Sequence, residues 1–155
     1  MSTLDTPVGA LFVQCDPQGA LRRVGFADEE RSDVRPERAA ERVPERVAAQ
    51  LRAYFAGALT AFDLPLAPVG TAYQRRVWDA LGQVRFGETT SYAQLARQLD
   101  SVARAVGGAN AKNPLAIVVP CHRVVGSDGS LTGYRYGTAR KRWLLEHEAK
   151  ISAPV

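Results

Sequence analysis

The hydrophobic pattern of this chain becomes mostly helical after Gly70, and that change limits the folds open to it. Before Gly70, short apolar runs broken by turn residues accompany one stretch at helical spacing; after it, apolar residues recur mostly every three or four positions. "TPVGALFVQCDPQGALRRVGFA" predicts a β-hairpin, with Leu11, Val13 and Cys15 alternating on one face and Asp16-Pro17-Gln18-Gly19 as the turn. Cys15 there reads as a small buried hydrophobe. "DEERSDVRPERAAER" predicts a charged, solvated loop. Val43, Val47, Leu51 and Tyr54/Phe55 then fall at helical spacing, with Gly57 as a stop. "TAFDLPLAPVG" predicts an edge strand running into a linker, because its two prolines cannot serve a central ladder.

Beyond Gly70 the pattern is mostly helical. Tyr73, Val77, Trp78 and Leu81 share a face, with Thr71 as N-cap. "TTSYAQLARQL" predicts a second helix entered through Thr90 or Ser91. "DSVARAVGGANAKN" predicts a third, capped by Ser101 and ended by Asn113-Pro114. A short turn between the last two gives the outline of a helix-turn-helix, which many hairpins that never touch DNA share. The third helix is nearly bare of side chains. Gly107 and Gly108 cost it about 1 kcal/mol each relative to alanine. Arg104, Gly108 and Ala111 share a face by their spacing. Two explanations stand at this point: a groove pressed against the helix backbone, or tight packing on another helix.

The 155 residues allow one sizeable core or two small ones. No run approaches the roughly 20 apolar residues of a membrane span, and "MSTLDTPVGA" carries no secretory signal. Two cysteines without such a signal point to a reducing, cytoplasmic setting. Cys15, Cys121, His122 and His147 lack zinc-ligand spacing, so no metal is expected. Residues 1–68 hold eight arginines against ten acids, and residues 69–155 twelve basic residues against six acids. These charges of −2 and +6 make up the overall +4. The asymmetry suggests that the second part meets a polyanion, although basic residues also simply solvate a surface.

"VVPCHRVV" places Cys121 at the end of an apolar run, Leu115 to Val119, that suits a short buried strand or extended segment. Pro120 keeps a helix from reaching Cys121. A thiol becomes a nucleophile when a base or cation helps it ionise. His122 is adjacent, but neighbours in an extended chain point to opposite sides. Contact between them needs a turn or an intervening water. Glu148 falls one turn after Leu144 on an apolar stripe, and a carboxylate on a buried face needs a partner. His147, one turn past Trp143, reads as packing. Adjacency of Cys121 and His122 leaves a core cysteine beside a satisfied core histidine as the plain alternative.

"VVPCHRVVGSDGSLTGYRYGTARKRWLLEHE" resembles the active-site block of the O6-alkylguanine-DNA alkyltransferases. The resemblance runs back through "ARAVGGANAKNP", "SYAQLA" and "VWDALGQVRFGETTSY", and more loosely to "TPVGALFV". It implies an α+β chain: a ribonuclease-H-like α/β domain over 1–68, then a winged helix-turn-helix domain over 69–155. It implies irreversible, single-turnover transfer of a methyl or larger alkyl group from O6 of guanine to Cys121, without cofactor, with O4-alkylthymine left open. His122 would take the thiol proton through a water, with Glu148 orienting the imidazole. Tyr92 would protonate the departing guanine, and Asn113 would sit at the hinge before the active-site loop. Arg104 would fill the gap left by a flipped base. Ser91, Ala105, Gly107 and Gly108 would lie against the minor groove of double-stranded DNA, largely without regard to sequence. Val124, Tyr134 and Arg135 would line the pocket. A monomer is expected, with cooperative loading on DNA left open. The chain departs from the family pattern in a shorter turn between Leu99 and Val102, in Arg85, and in Tyr136, an aromatic expected to narrow the pocket. A damage-binding protein without transfer chemistry and an operator-reading transcription factor are the competing classes. Cys121 argues against the first, and the bare third helix against the second.

Overall fold

The computed structural model describes residues 3–29, 43–131 and 133–153. The chain is α+β and divides into two compact units, Met1–Val69 and Gly70–Val155. The loop expected over 28–42 lies outside the described residues from 30 onward, and Ala27–Glu29 form a 3-10 turn. None of the described helices is long and apolar enough to cross a membrane.

The first unit is a meander of three antiparallel strands, β1 (Thr3–Thr6), β2 (Gly9–Cys15) and β3 (Leu21–Phe26), in that spatial order. The β2–β3 hairpin turns where Asp16-Pro17-Gln18-Gly19 predicts it. Asp16 Oδ1 accepts from the amides of Gln18 and Ala20, and Gly19 takes φ +87°. The strand before it, β1, was not expected from sequence. The alternation expected along β2 fails in two ways. Leu11, Phe12 and Val13 are all buried, so both faces are covered. The register shifts between Gln14 and Cys15, with Arg22 the extra residue on β3, and Cys15 at the strand end is only half-buried. Helix α1 (Glu45–Phe55) buries Val47, Ala48, Leu51 and Tyr54 and stops before Gly57 at φ +79°. The edge strand expected around Leu64–Leu66 shrinks to one parallel bridge, Leu21 to Leu66. Pro65 and Pro68 lack the amides that a longer ladder would need.

The second unit opens with α2 (Ala72–Leu81). Thr71 and Gln74 form a reciprocal capping box, and Val77, Trp78 and Leu81 are buried. Gly70 lies under the Trp78 ring, where a Cβ would overlap it. A two-residue strand, β4 (Thr90–Ser91), leads into α3 (Tyr92–Gln98), and α4 (Ala103–Ala111) follows after a short turn. Ser91, not Thr90, caps α3, accepting from Gln94 N at 3.0 Å. Ser101 does not cap α4: Val102 holds that position without a side-chain bond, and the Ser101 hydroxyl pairs with Tyr73 Oη at 2.7 Å. The α3–α4 turn closes as a Schellman motif, with Ser101 N on Ala96 O and Asp100 in the left-handed region at φ 51°. Arg76 Nη2 covers the free Leu99 carbonyl at 2.8 Å, and Trp78 Nε1 donates to Ala109 O at 2.9 Å. Helix α2 thus braces both partners of the helix-turn-helix. After α4 come a 3-10 turn (Cys121–Arg123), β5 (Val124–Val125) paired in parallel with β4, and α5 (Thr138–Ser152).

Replacing Thr71 by alanine removes one bond of the capping box and leaves Gln74 without its partner. The variant is expected to lose about 1 kcal/mol of stability, read as a lower urea midpoint with an unchanged m-value.

Candidate active site

The apolar run before Cys121 is not extended. Leu115 to Val119 fold into a buried turn, with Val119 N on Leu115 O at 2.9 Å and Ile117 at φ 72°. A β-branched residue rarely adopts that conformation, and holding it costs about 1–3 kcal/mol. Asn113 holds the turn: Oδ1 accepts from Leu115 N at 3.0 Å, and Nδ2 donates to Val119 O at 2.8 Å. Pro120 (φ −81°, ψ 66°) then starts the 3-10 turn that carries Cys121, His122 and Arg123, all three buried. The thiol is 5% exposed, and burial pushes its pKa up against the opposing pull of Asn113, Lys141 and Arg135. Burial thus favours the protonated form of the thiol.

His122 follows Cys121 in the same 3-10 turn. His122 is fully buried, and its Nε2 lies 2.6 Å from Glu148 Oε2. Arg123 grips the same carboxylate at both oxygens, Nε to Oε1 at 2.7 Å and Nη2 to Oε2 at 3.1 Å. Gly87 N donates to Oε1 at 3.3 Å, and Arg123 Nη1 to Val84 O at 2.7 Å. Burial alone would raise the Glu148 pKa, but the bonds and charges of His122 and Arg123 hold it down to about 2. Burial lowers the His122 pKa, so the imidazole is neutral. With Nε2 facing a carboxylate, the ring proton belongs on Nε2 and the lone pair on Nδ1. Nδ1 is buried and has no hydrogen-bond partner among the described residues.

Tyr92, at the start of α3, packs its ring on α4: a Cβ at Gly107 would lie 3.8 Å from Cδ1. Its hydroxyl would be 3.4 Å from a Cβ at Gly133. Burial and the nearby Cys121 charge raise its pKa. Tyr134 and Tyr136 are buried edge to face at 5.8 Å, and Arg135, exposed, has its guanidinium 5.3 Å from the Tyr136 ring centre. Val124 is buried, and its amide bonds to Cys121 O. His147 stacks on Trp143 at 4.9 Å, in keeping with the packing expected of it.

Three polar residues at this centre escaped the sequence reading. Lys141 is fully buried, with Nζ 6.0 Å from the Tyr92 ring centre and its charge bearing on Cys121. It lies three residues before Leu144 and seven before Glu148, on the stripe that singled out Glu148. The same spacing argument would have found it. Arg123 was read only as part of a motif, and Asn110 only as a small helix residue.

The other face of α4 is open. Arg104, Ala105 and Gly108 are exposed, and a Cβ at Gly108 would meet nothing within 4 Å. Helix packing therefore does not account for Gly108. Gly107 differs, since Tyr92 covers it at ordinary contact distance. Ser91 uses its oxygen as a cap and keeps a hydroxyl proton to donate.

Known proteins are similar to this chain in sequence and fold. A family model described as the DNA-binding domain of 6-O-methylguanine DNA methyltransferase matches residues 72–150, and one described as its ribonuclease-like domain matches residues 1–68. The methylated-DNA–protein-cysteine methyltransferase of Shigella flexneri is 45% identical over 159 residues, covering 94% of this chain and 93% of the relative. The crystal structure of the O6-methylguanine methyltransferase of Mycobacterium tuberculosis superposes with a TM-score of 0.87 at 42% identity, covering 99% of this chain and 94% of that one. The M. tuberculosis OGT protein solved in complex with DNA gives 0.84 at 42% identity, with the same coverage.

The Glu148 pKa sets a pH signature. A carboxylate depressed from 4.5 to about 2 contributes stability that is present above pH ~4.5 and lost as pH falls toward 2, up to about 3 kcal/mol. His122, buried neutral, adds a loss beginning as pH falls through about 6.5. Urea unfolding across pH 7 to 3 is expected to show both losses. Glu148→Gln should start about 3–5 kcal/mol lower, with Arg123 left unpaired, and fall less steeply below pH 4.5.

Proposed function

This chain belongs to the 6-O-methylguanine DNA methyltransferase family, and on that premise we propose that it transfers an alkyl group from O6 of guanine in duplex DNA to Cys121, once per molecule. The observation that carries the reading is the buried thiol beside a neutral imidazole whose far nitrogen is tied to a permanently charged carboxylate. Such a set makes a nucleophile on demand and leaves no group to hydrolyse a thioether.

Cys121 Sγ attacks the alkyl carbon opposite O6, the C–S bond forms, and the C–O6 bond breaks with its electron pair on the guanine. The thiol proton passes to His122 Nδ1 through a bridging water. Glu148 stabilises the imidazolium across Nε2, and Arg123 keeps that carboxylate charged and aimed. The buried Lys141 ammonium favours the thiolate as it forms. Tyr92 donates its phenolic proton to the guanine, which would otherwise leave as an anion. Asn113 holds the buried turn that presents the thiol.

On the DNA side, Arg104 enters the base stack and holds the place of the flipped guanine, at a cost of a few kcal/mol for unstacking. Ala105 and Gly108 let α4 enter a minor groove only ~6 Å wide, with Gly107 seating Tyr92 beneath them and Ser91 donating to the backbone. Val124, Tyr134 and Arg135 line the pocket, and Tyr136 limits its width. Phosphate contacts supply most of the affinity, which makes binding salt-dependent and largely sequence-independent.

Mass spectrometry after incubation with O6-methylguanine duplex is expected to show about 14 Da added to the Cys121 peptide, one methyl replacing one hydrogen, in stoichiometric amount. Catalytic turnover, or an unmodified Cys121, overturns the proposal. Gly108→Ala separates the two costs of α4: stability should rise by about 1 kcal/mol, while duplex repair slows and reaction with free O6-methylguanine does not. Arg104→Ala should show the same contrast without the gain in stability.

A further inference from the structure

Asn110 belongs to α4 but faces away from its open side. It is 3% exposed, and its Nδ2 donates to Cys121 O at 3.4 Å. That carbonyl already accepts from Val124 N, so it is a fixed point in the 3-10 turn. The contact also orients the amide, since the flipped form would set two oxygens against each other. Oδ1 has no hydrogen-bond partner among the described residues. A half-satisfied buried amide costs stability that an apolar residue of the same size would not. Packing alone therefore does not explain an asparagine here.

Its other neighbour is Tyr92. The Tyr92 ring lies against Gly107, one helical turn before Asn110 on α4. Burial raises the Tyr92 pKa, and Asn110 is close enough to its hydroxyl to pull the other way. The amide group has two hydrogens, one for the Cys121 carbonyl and one for the phenolic oxygen.

We propose that Asn110 is a positioning residue for alkyl transfer: its carboxamide, held on the Cys121 carbonyl, aims the Tyr92 hydroxyl at the departing base and donates to the oxyanion that Tyr92 becomes. This rests on the transfer reaction proposed above. When Tyr92 gives its proton to guanine and Cys121 gives its proton to His122, the site holds one tyrosinate and one imidazolium, with no net change in charge. His122 has Glu148 to stabilise its new charge, and Asn110 performs the matching task for Tyr92. The same amide ties the DNA-facing helix to the backbone of the nucleophile, so the acid and the thiol keep their spacing as α4 engages the groove.

A double-mutant cycle tests this. Single-turnover rates with O6-methylguanine duplex would be compared for the wild type, Asn110→Leu, Tyr92→Phe and the double variant. A hydrogen bond to a developing charge predicts that Asn110→Leu slows transfer about tenfold to hundredfold in the wild-type background. In the Tyr92→Phe background the loss should be under about twofold, because the oxyanion is gone. The phenol titration of Tyr92, followed by ultraviolet difference against Tyr92→Phe, should move to higher pH in Asn110→Leu. Equal losses in both backgrounds, or an unmoved titration, overturn the proposal. Asn110→Asp keeps the size and guards against a folding artefact. With its carboxyl protonated at low pH it should unfold near the wild-type urea midpoint at that pH, and as pH rises both its stability and its transfer rate should fall below wild type as the buried carboxylate ionises; a transfer rate equal to wild type throughout overturns the proposal. A wild type that leaves Cys121 unalkylated would instead sink the transfer reading on which it rests.

Discussion

One buried carboxylate organises the second unit. Glu148 is 1% exposed, yet it accepts from His122, from Arg123 twice, and from the Gly87 amide. An isolated carboxylate in that position would be expelled or protonated. With these donors its pKa falls to about 2, and it becomes the fixed negative point around which the neighbouring segments settle. Arg123 carries the connection on to Val84 O, so the 3-10 turn of Cys121–Arg123, α5 and the loop of Val84–Gly87 are tied by charge-assisted bonds. Each of those bonds joins parts of the chain that propensity alone would leave independent.

The thiol depends on that arrangement and on strain beside it. Ile117 in the left-handed region and the bonds of Asn113 fold an apolar run into a turn that ends at Pro120. Strain of this kind persists where the surrounding structure over-determines it. Here buried neighbours and Asn113 do so, and the result is a thiol that is buried yet lies beside Tyr92, Lys141 and Asn113. Burial pushes its pKa up and so favours the protonated thiol.

Helix α4 joins the two faces of the unit. Outward it offers Arg104, Ala105 and open space at Gly108; inward it holds Gly107 against Tyr92 and Asn110 against Cys121. The short turn before it is braced from α2, where Tyr73 takes Ser101 and Arg76 takes Leu99. Ser101 lies one residue before the α4 cap position, which Val102 holds, and its bond to Tyr73 secures the turn that lacks a glycine at Asp100.

Much of this was legible in the residues. Helix periodicity located α1 to α5, "DPQG" located the β2–β3 turn, and the stripe through Leu144 marked Glu148 as a buried carboxylate in need of partners. These are local signals, carried by spacing along one element. The sequence by itself thus determined the elements, the presence of a thiol, an imidazole and a carboxylate, and the family they resemble. Only the tertiary structure decided the partners of Glu148, the turn at Leu115–Val119, the half-exposure of Cys15 and the inward use of Lys141 and Asn110. Hydrogen bonds between residues 25 or 61 positions apart, as at Arg123 and Gly87 with Glu148, leave no periodic trace in the chain. Buried polar groups choose among available partners only when the packed segments bring donors and acceptors within about 3 Å.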